Sequence, residues 1–277
     1  MPATTDKRQI FDKLHQLPAM PQVVREVMAS FKNPNVGSAI MAKKIAHDQG
    51  LSARVLRVAN SSFYGLAREV GSMQEAVTVL GFDTVRSLVV LAGATFAFPP
   101  SANTLFDRQT YWINSFRVAT YTEALAQCLG GAWQMSFTAG LFHDVGQLVL
   151  SICIPEKFSG LLEQQKSSGL SLIEIEQAAL GFDHAEIGAE MARRWNFPPE
   201  IEHAIHYWRT PEHEPFEQTN AIVYVAVLLE SGLRGDDLMA RLPETLCDRL
   251  QISWERIEAC LPQPDQLDAV ANLMLGT

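Results

Sequence analysis

Apolar residues recur along most of the chain at the three- and four-residue spacing that places them on one face of a helix. In one segment Ile40 and Ile45 share one side, while Lys43 and Lys44 lie on the other. The pattern repeats directly afterwards, from Leu51 onwards. No stretch shows the sustained alternation of a half-buried strand. The pattern predicts about fifteen helices and no sheet, which is an all-α fold.

Prolines and short polar side chains indicate where individual helices begin. Pro18 and Pro21 precede a predicted helix over residues 22–31. Asp83 and Asp183 each follow the same tripeptide, Leu-Gly-Phe, and open an apolar repeat. Since an Asp side chain accepts hydrogen bonds from the first backbone N–H groups of a helix, both are predicted N-caps.

A change of composition at residues 98–103, where two prolines stand among small polar residues, predicts a connector. It divides an amino-terminal helical lobe, 1–98, from a second helical lobe, 105–235. Residues 236–277 are more polar and predict a short-helical C-terminal extension. Residues 76–98 are so rich in apolar side chains that one small lobe could not cover them, so we expect the two bundles to pack tightly together.

Composition narrows the class of protein. The 277 residues are 47% hydrophobic and 19% charged, which excludes a disordered chain. The formal charge of -9 argues against a duplex nucleic acid or an anionic membrane as partner. The longest uncharged apolar run, 88–98, is shorter than the roughly 20 residues of a membrane span. No apolar leader is present and the four cysteines form no CxxC pair, so we expect a cytoplasmic protein with reduced cysteines.

The amino half carries an ordered set of residues that continues into the second half. This set resembles the HDOD family, bacterial regulatory domains related to the HD phosphohydrolases, and the resemblance covers residues 14–230. It implies an HD-like helical bundle in the second lobe. The matching residues are Leu17-Pro18, Pro21, Asp48, Leu51, Val55-Leu56, Ala59-Asn60-Ser61, Phe63-Tyr64-Gly65, Ala76 and Leu80-Gly81.

The resemblance also implies where a metal site would lie. His143 and Asp144, in LFHDVG, match the His-Asp pair of the HD enzymes, and His184 matches a histidine of the extended metal sites. The remaining positions have lost their ligands. Gln147 stands where a phosphate-binding lysine often follows. The lost metal ligands fall at Asn114, Trp208, Arg209 and Val227.

Amide, alkyl, indole and guanidinium groups do not hold a catalytic transition metal, so we expect no metal, no cofactor and no catalysis. The favoured interpretation is a hydrogen-bonded remnant of His143, Asp144 and Asn114. A site rebuilt from His184, His203 and His206 is the alternative, because the last two stand three residues apart.

A second candidate site lies in the amino lobe. Arg54 and Arg57 stand three apart on the polar face of a helix that Asn60 and Ser61 end. These polar groups are interpreted as turn-making residues, with an anion or nucleotide pocket as the alternative.

The resemblance implies a non-catalytic signal-transduction module that acts on protein partners in trans, in a setting such as cyclic-dinucleotide signalling. The alternative hypothesis is a metal-dependent phosphohydrolase, a phosphodiesterase acting on a nucleotide or cyclic dinucleotide. A sensor that binds a nucleotide without hydrolysing it is a third hypothesis. No other catalytic motif, such as GxSxG or HExxH, is present.

Overall fold

The computed structural model describes residues 7–14, 20–30, 37–61, 64–98, 105–130, 133–262 and 267. These residues form seventeen helices and no strand, which confirms the all-α prediction. The amino-terminal lobe contains α1 (Lys7–Leu14), α2 (Gln22–Ala29), α3 (Ser38–Ala46), α4 (Gln49–Ala59), α5 (Met73–Leu80) and α6 (Phe82–Ala97).

The second lobe is built around one long helix, against which the others pack. It contains α7 (Arg108–Cys128), α8 (Trp133–Phe142), α9 (Val145–Cys153), α10 (Pro155–Ser168), α11 (Leu172–Leu180), α12 (His184–Arg194), α13 (Pro199–Tyr207) and α14 (Gln218–Glu230). The C-terminal extension adds α15 (Gly235–Met239), α16 (Glu244–Leu250) and α17 (Trp254–Glu258).

Of the two predicted N-caps, one is confirmed and one is wrong. Asp183 precedes α12, and its carboxylate accepts a hydrogen bond from the backbone N–H of Glu186 at 3.0 Å. Asp83 lies inside the first turn of α6, where it pairs with Arg86. The chain passes directly from α5 to α6 through Gly81, whose φ of 84° suits glycine, so α6 begins before Asp83.

The two lobes share one hydrophobic core. Helix α6 packs on α8, and α1 packs on α9. The ring of Phe98, at the end of the amino lobe, lies 5.3 Å from that of Trp195. Lys7 pairs with Glu186, and Lys13 Nζ donates to the carbonyl of Cys153 at 2.6 Å. Most of the predicted connector, residues 99–103, lies outside the described residues.

Helix α9 approaches α12 so closely that a side chain could not fit between them. A Cβ added to Gly146 would lie 1.7 Å from the carbonyl oxygen of His184. A Cβ on Gly188 of α12 would lie 3.2 Å from the backbone nitrogen of Gly146. These glycines bring the N-terminus of α9, and with it Asp144, against the start of α12.

The extension is covalently joined to the second lobe, which corrects the expectation of four reduced cysteines. Cys128, at the end of α7, forms a disulfide with Cys260, just after α17. The pair is 132 residues apart in sequence, so local spacing carries no sign of it. Cys153 is buried, as expected for a small apolar side chain, and burial raises the pKa of its thiol to about 11.

Within the described ranges, no helix has both the length and the apolar character needed to cross a membrane. Of the predicted extension beyond residue 262, only Leu267 is described.

Candidate functional site

His143 and Asp144 form the tight turn between α8 and α9. The imidazole of His143 is buried, and its Nδ1 lies 2.7 Å from the carbonyl oxygen of Gly140. Asp144 Oδ2 accepts a hydrogen bond from Gln147 Nε2 at 2.7 Å. Trp208 supports the turn from α13, since its Nε1 donates to the carbonyl of His143 at 3.2 Å. Hydrogen bonds thus hold both residues of the sequence-predicted His-Asp pair in place, and the side-chain amide of Gln147 is bonded to Asp144.

A second buried pair stands behind Asp144. His184 and Glu176 are both completely buried. One oxygen of Glu176 accepts hydrogen bonds from the backbone N–H of His184 at 2.9 Å and from its Nδ1 at 2.6 Å. His184 Nε2 lies 3.3 Å from Asp144 Oδ1. The imidazole therefore lies between two carboxylates.

Glu176 is the site residue that the sequence analysis missed. It stands between Leu172 and Leu180 at spacings of four residues, so it occupies the buried face of α11. An acidic residue at an apolar position of a helical repeat is the signal that could have revealed it, because buried charges are paired.

The electrostatics of the three titratable neighbours follow from this packing. Burial lowers the pKa of His143, against the opposing effect of Asp144. Burial also disfavours protonated His184, but Glu176 and Asp144 outweigh it and raise that pKa to about 9. For Asp144, burial opposes ionisation, while His143, His184 and Arg209 hold the pKa well below its usual range. At neutral pH the core of the site is therefore an ionised Asp144 beside a protonated His184.

The positions at which the family resemblance implies lost metal ligands lie around Asp144 and His184. Asn114 of α7 and Val227 of α14 line one cavity with His143 and Asp144. Arg209 Nη2 lies 3.9 Å from Asp144 Oδ1, and its guanidinium lies 4.2 Å above the ring of Trp208. The structure thus brings the sequence-predicted positions together, although the chemistry at four of them differs from that of a metal site.

The metal implied by the HD fold does not fit these side chains. A histidine ligand must offer a free nitrogen lone pair, yet both nitrogens of His184 face carboxylates. Arg209 adds a positive charge next to the carboxylate that a cation would need. In the part of the chain that the structure describes, no three His, Cys, Asp or Glu residues are grouped so as to hold a metal ion.

The predicted hydrogen bonds among His143, Asp144 and Asn114 are absent from the described residues, and His143 Nε2 lies 3.6 Å from Asp144 Oδ2. Among the hydrogen bonds of the described residues, Asp144 is joined to Gln147, and Asn114 is joined to neither His143 nor Asp144. The alternative of a rebuilt histidine site is not supported. His203 Nδ1 lies 2.6 Å from Glu217 Oε1, and the ring of His206 stacks 4.3 Å from that of Tyr207.

The polar residues of the amino lobe stabilise a turn. The side-chain amide of Asn60 donates to the carbonyl of Val70 at 2.9 Å and accepts from its N–H at 2.7 Å. Arg54 donates to Thr95 Oγ1 at 3.3 Å, while Arg57 is exposed and Ser61 is buried. The four residues therefore do not converge on one pocket in which Asn60 is available to an anion.

Comparison with known proteins agrees with this geometry. A family model described as the HDOD domain matches residues 17–211. The chain belongs to the HDOD domain family. An HDOD domain protein of unknown function from Geobacter sulfurreducens shares the fold, with a TM-score of 0.74 at 24% identity over 95% of this chain and 91% of that one.

Two further solved structures are similar over nearly the whole chain. One, named "Putative phosphohydrolase", from Shewanella amazonensis SB2B, is 27% identical with a TM-score of 0.79 and coverage of 96% of this chain and 98% of that one. The other, named "Putative signal transduction protein", from Marinobacter aquaeolei VT8, is 26% identical with a TM-score of 0.83. The alignment covers 98% of this HDOD chain and 62% of the Marinobacter protein.

An uncharacterized protein of Treponema pallidum is 25% identical over 251 residues, which is 89% of this chain. The alignment covers 48% of that protein, so the HDOD chain spans about half the length of this curated relative.

Proposed function

We propose that this HDOD protein is a non-catalytic module of bacterial signal transduction, which acts by binding protein partners. The observation that carries the proposal is the state of His184, whose two nitrogens both face carboxylates within a buried cluster. A catalytic metal needs about three protein ligands and an open position for water. The name of the Marinobacter relative, a signal transduction protein, supports the same assignment.

In this proposal the partners are signalling proteins of the bacterial cytoplasm, supplied in trans, and cyclic-dinucleotide signalling is one setting. The acidic balance of -9 disfavours nucleic acid as the target.

Metal-dependent phosphohydrolysis is the second candidate, favoured by the name of the Shewanella relative and by the retained His143–Asp144 pair.

To separate the non-catalytic module from the phosphohydrolase, the purified full chain is assayed for metal content and for turnover of cyclic dinucleotides and an aryl phosphodiester with Mn²⁺, Fe²⁺, Mg²⁺ or Ni²⁺. We expect no turnover above that of the metal alone. A metal-dependent activity that disappears in both His143→Ala and Asp144→Ala, at unchanged melting temperature, would contradict the proposal.

The binding role is tested through a matched pair of exposed apolar side chains. Val79, on α5 of the amino lobe, is 47% exposed, and Leu170, on the second lobe, is 48% exposed. We expect Val79→Glu to reduce capture of the partners that co-purify with the wild type. Leu170→Glu and His143→Ala should leave capture intact, with protein abundance checked because a loss of about 1–2 kcal/mol can itself lower it. Equal losses in all three variants would show that the amino lobe is not the binding surface.

A further inference from the structure

The C-terminal extension covers an apolar groove between α7 and α14. Side chains from both sides of this contact line one small cavity. Its lining includes Leu125, Ile222 and Val225 of the second lobe, and Leu250, Ile252 and Ile257 of the extension. All six are buried, so separating the extension from the two helices would expose apolar surface to water. The apolar contact therefore favours the docked extension.

The polar contacts of the extension lie at the surface and stabilise it little. Arg249 Nη2 lies 2.7 Å from Glu214 Oε1, and its guanidinium lies 4.8 Å from the ring of Phe216. Thr245 Oγ1 donates a hydrogen bond to Glu212. The side chains of Arg249 and Glu214 are 43% and 65% exposed, so water screens their attraction. Without a covalent bond, the docked extension would therefore depend mainly on its apolar contact.

The Cys128–Cys260 disulfide adds a covalent bond at the far end of the extension. The near end is fixed at Arg234, whose Nη1 donates to the carbonyl of Leu229 at 2.5 Å. Residues 235–259 therefore form a loop whose two ends are both attached to the second lobe. Closing a loop restricts the separated form more than the docked form, so the disulfide favours docking.

The disulfide lies where a thiol can reach it. Cys128 and Cys260 are both partly exposed, and exposed disulfides are the more easily reduced ones. Arg256 Nη2 donates to the carbonyl of Cys128 at 3.3 Å, so a positive charge lies beside this cysteine. A neighbouring arginine stabilises a thiolate, which makes Cys128 the better leaving group. Both cysteines lie at the C-terminal end of a helix, so the helix dipole favours neither.

We propose that the Cys128–Cys260 bond is a redox switch, and that its reduction by a dithiol lets the extension separate from α7 and α14. One thiolate of the dithiol attacks Cys260 Sγ, the S–S bond breaks, and Cys128 leaves as a thiolate with the electron pair of that bond. The second thiolate of the reductant then attacks the reductant's own sulfur in the mixed disulfide and releases Cys260. The two cysteine thiolates take up the two protons that the dithiol gave up. The dithiol, which loses two electrons, ends as a cyclic disulfide.

The switch makes exposure of the apolar groove depend on the thiol–disulfide balance around the protein. In the cytoplasm of the proposed function, thiol reductants keep disulfides open, so this bond would close only under oxidising conditions. That consequence rests on the proposed function. The switch itself needs neither a partner nor a metal, so a failure to detect it in the isolated chain would leave the proposed function unchanged.

Hydrogen–deuterium exchange of the full chain, followed by mass spectrometry, measures the separation, because amide exchange reports local opening. The chain is compared before and after treatment with dithiothreitol. Removing the constraint from a loop of this length should make opening about a hundredfold more frequent. We therefore expect the amides of α16 and α17 to exchange faster by about that factor after reduction. At short labelling times the amides of α10, which packs on α9 and α11, should exchange at an unchanged rate.

Serine variants assign the effect to the disulfide. Cys128→Ser, or Cys260→Ser should the first variant fold poorly, should exchange rapidly at α16 and α17 without any reductant. Oxidised glutathione should restore slow exchange in the reduced wild type but not in these variants. Cys247→Ser, the same change at a free cysteine of α16, should respond to dithiothreitol as the wild type does. No acceleration on reduction, equal acceleration of α10, or loss of the response in Cys247→Ser would each overturn the inference.

Discussion

Replacing Gly146 by alanine is expected to separate α9 from α12 and so to destabilise the whole second lobe. The added Cβ would lie 1.7 Å from the carbonyl oxygen of His184 and 2.6 Å from its carbonyl carbon. Ordinary contacts at such a position are 3.4–4 Å. The obstacle is backbone, which cannot rotate away as a flexible side chain can, so the two helices must move apart by roughly 1.5 Å or more.

The expected loss follows from two opposing contributions. Overpacking a core costs about 1–3 kcal/mol, and a backbone obstacle places this variant at the upper end. Alanine is favoured over glycine in a helix by up to about 1 kcal/mol. The net loss in the free energy of unfolding is therefore about 2 kcal/mol, which lowers the melting temperature of a chain this size by roughly 4–8 °C.

Gly160→Ala is the matched control, because Gly160 lies within α10 and no heavy atom stands within 4 Å of the position of its Cβ. We expect this variant to melt at a temperature equal to or slightly above that of the wild type. Thermal unfolding followed by far-ultraviolet circular dichroism measures both variants. Equal melting temperatures for Gly146→Ala and Gly160→Ala would refute the reasoning, since the helices would then have room that the structure does not show.

Three further predictions concern titration and the disulfide. The pKa of His184 is about 9, against its ordinary value of 6.5. The stabilisation that protonated His184 gains from Glu176 and Asp144 is therefore fully present below pH 6.5 and is lost as the pH rises through 9. The loss of unfolding free energy caused by Glu176→Gln should therefore shrink over that range. Burial raises the pKa of Glu123 to about 7 from 4.5, so stability falls as the pH rises through this interval, and Glu123→Gln should raise the melting temperature at about pH 8 but not at about pH 5. Reductant should lower the melting temperature, because the Cys128–Cys260 bond spans 132 residues and closes a long loop in the unfolded chain; Cys128→Ser should remove this sensitivity.

The helices were predictable because their signals are local. Apolar spacing located α3 and α4, and the cap at Asp183 was recognised from a carboxylate that opens an apolar repeat. Asp83 carries the same local signal and the interpretation was wrong, since the preceding Gly81 turns the chain so that α6 begins earlier. A tripeptide repeated in sequence does not specify the geometry of the turn before it.

The candidate site was predictable in part, through residues that stand next to each other or match a family position. His143, Asp144 and His184 are brought together as the resemblance implied. The partner of His184 was not found, because pairing with Glu176 depends on how α11 packs on α12. The Cys128–Cys260 disulfide was not predicted for the same reason, since only the folded chain brings these two cysteines together.

Helix α7 joins two chemically distinct places. It begins next to Asp107, which lines the cavity beside His143 and Asp144, and ends at Cys128, which is bonded to the extension. Its 21 residues form a rod about 30 Å long, and Asn114 stands about 21 Å from the Cys128 end. The disulfide at one end of the second lobe and the cavity at the other are therefore connected by a single helix, without any residue in common.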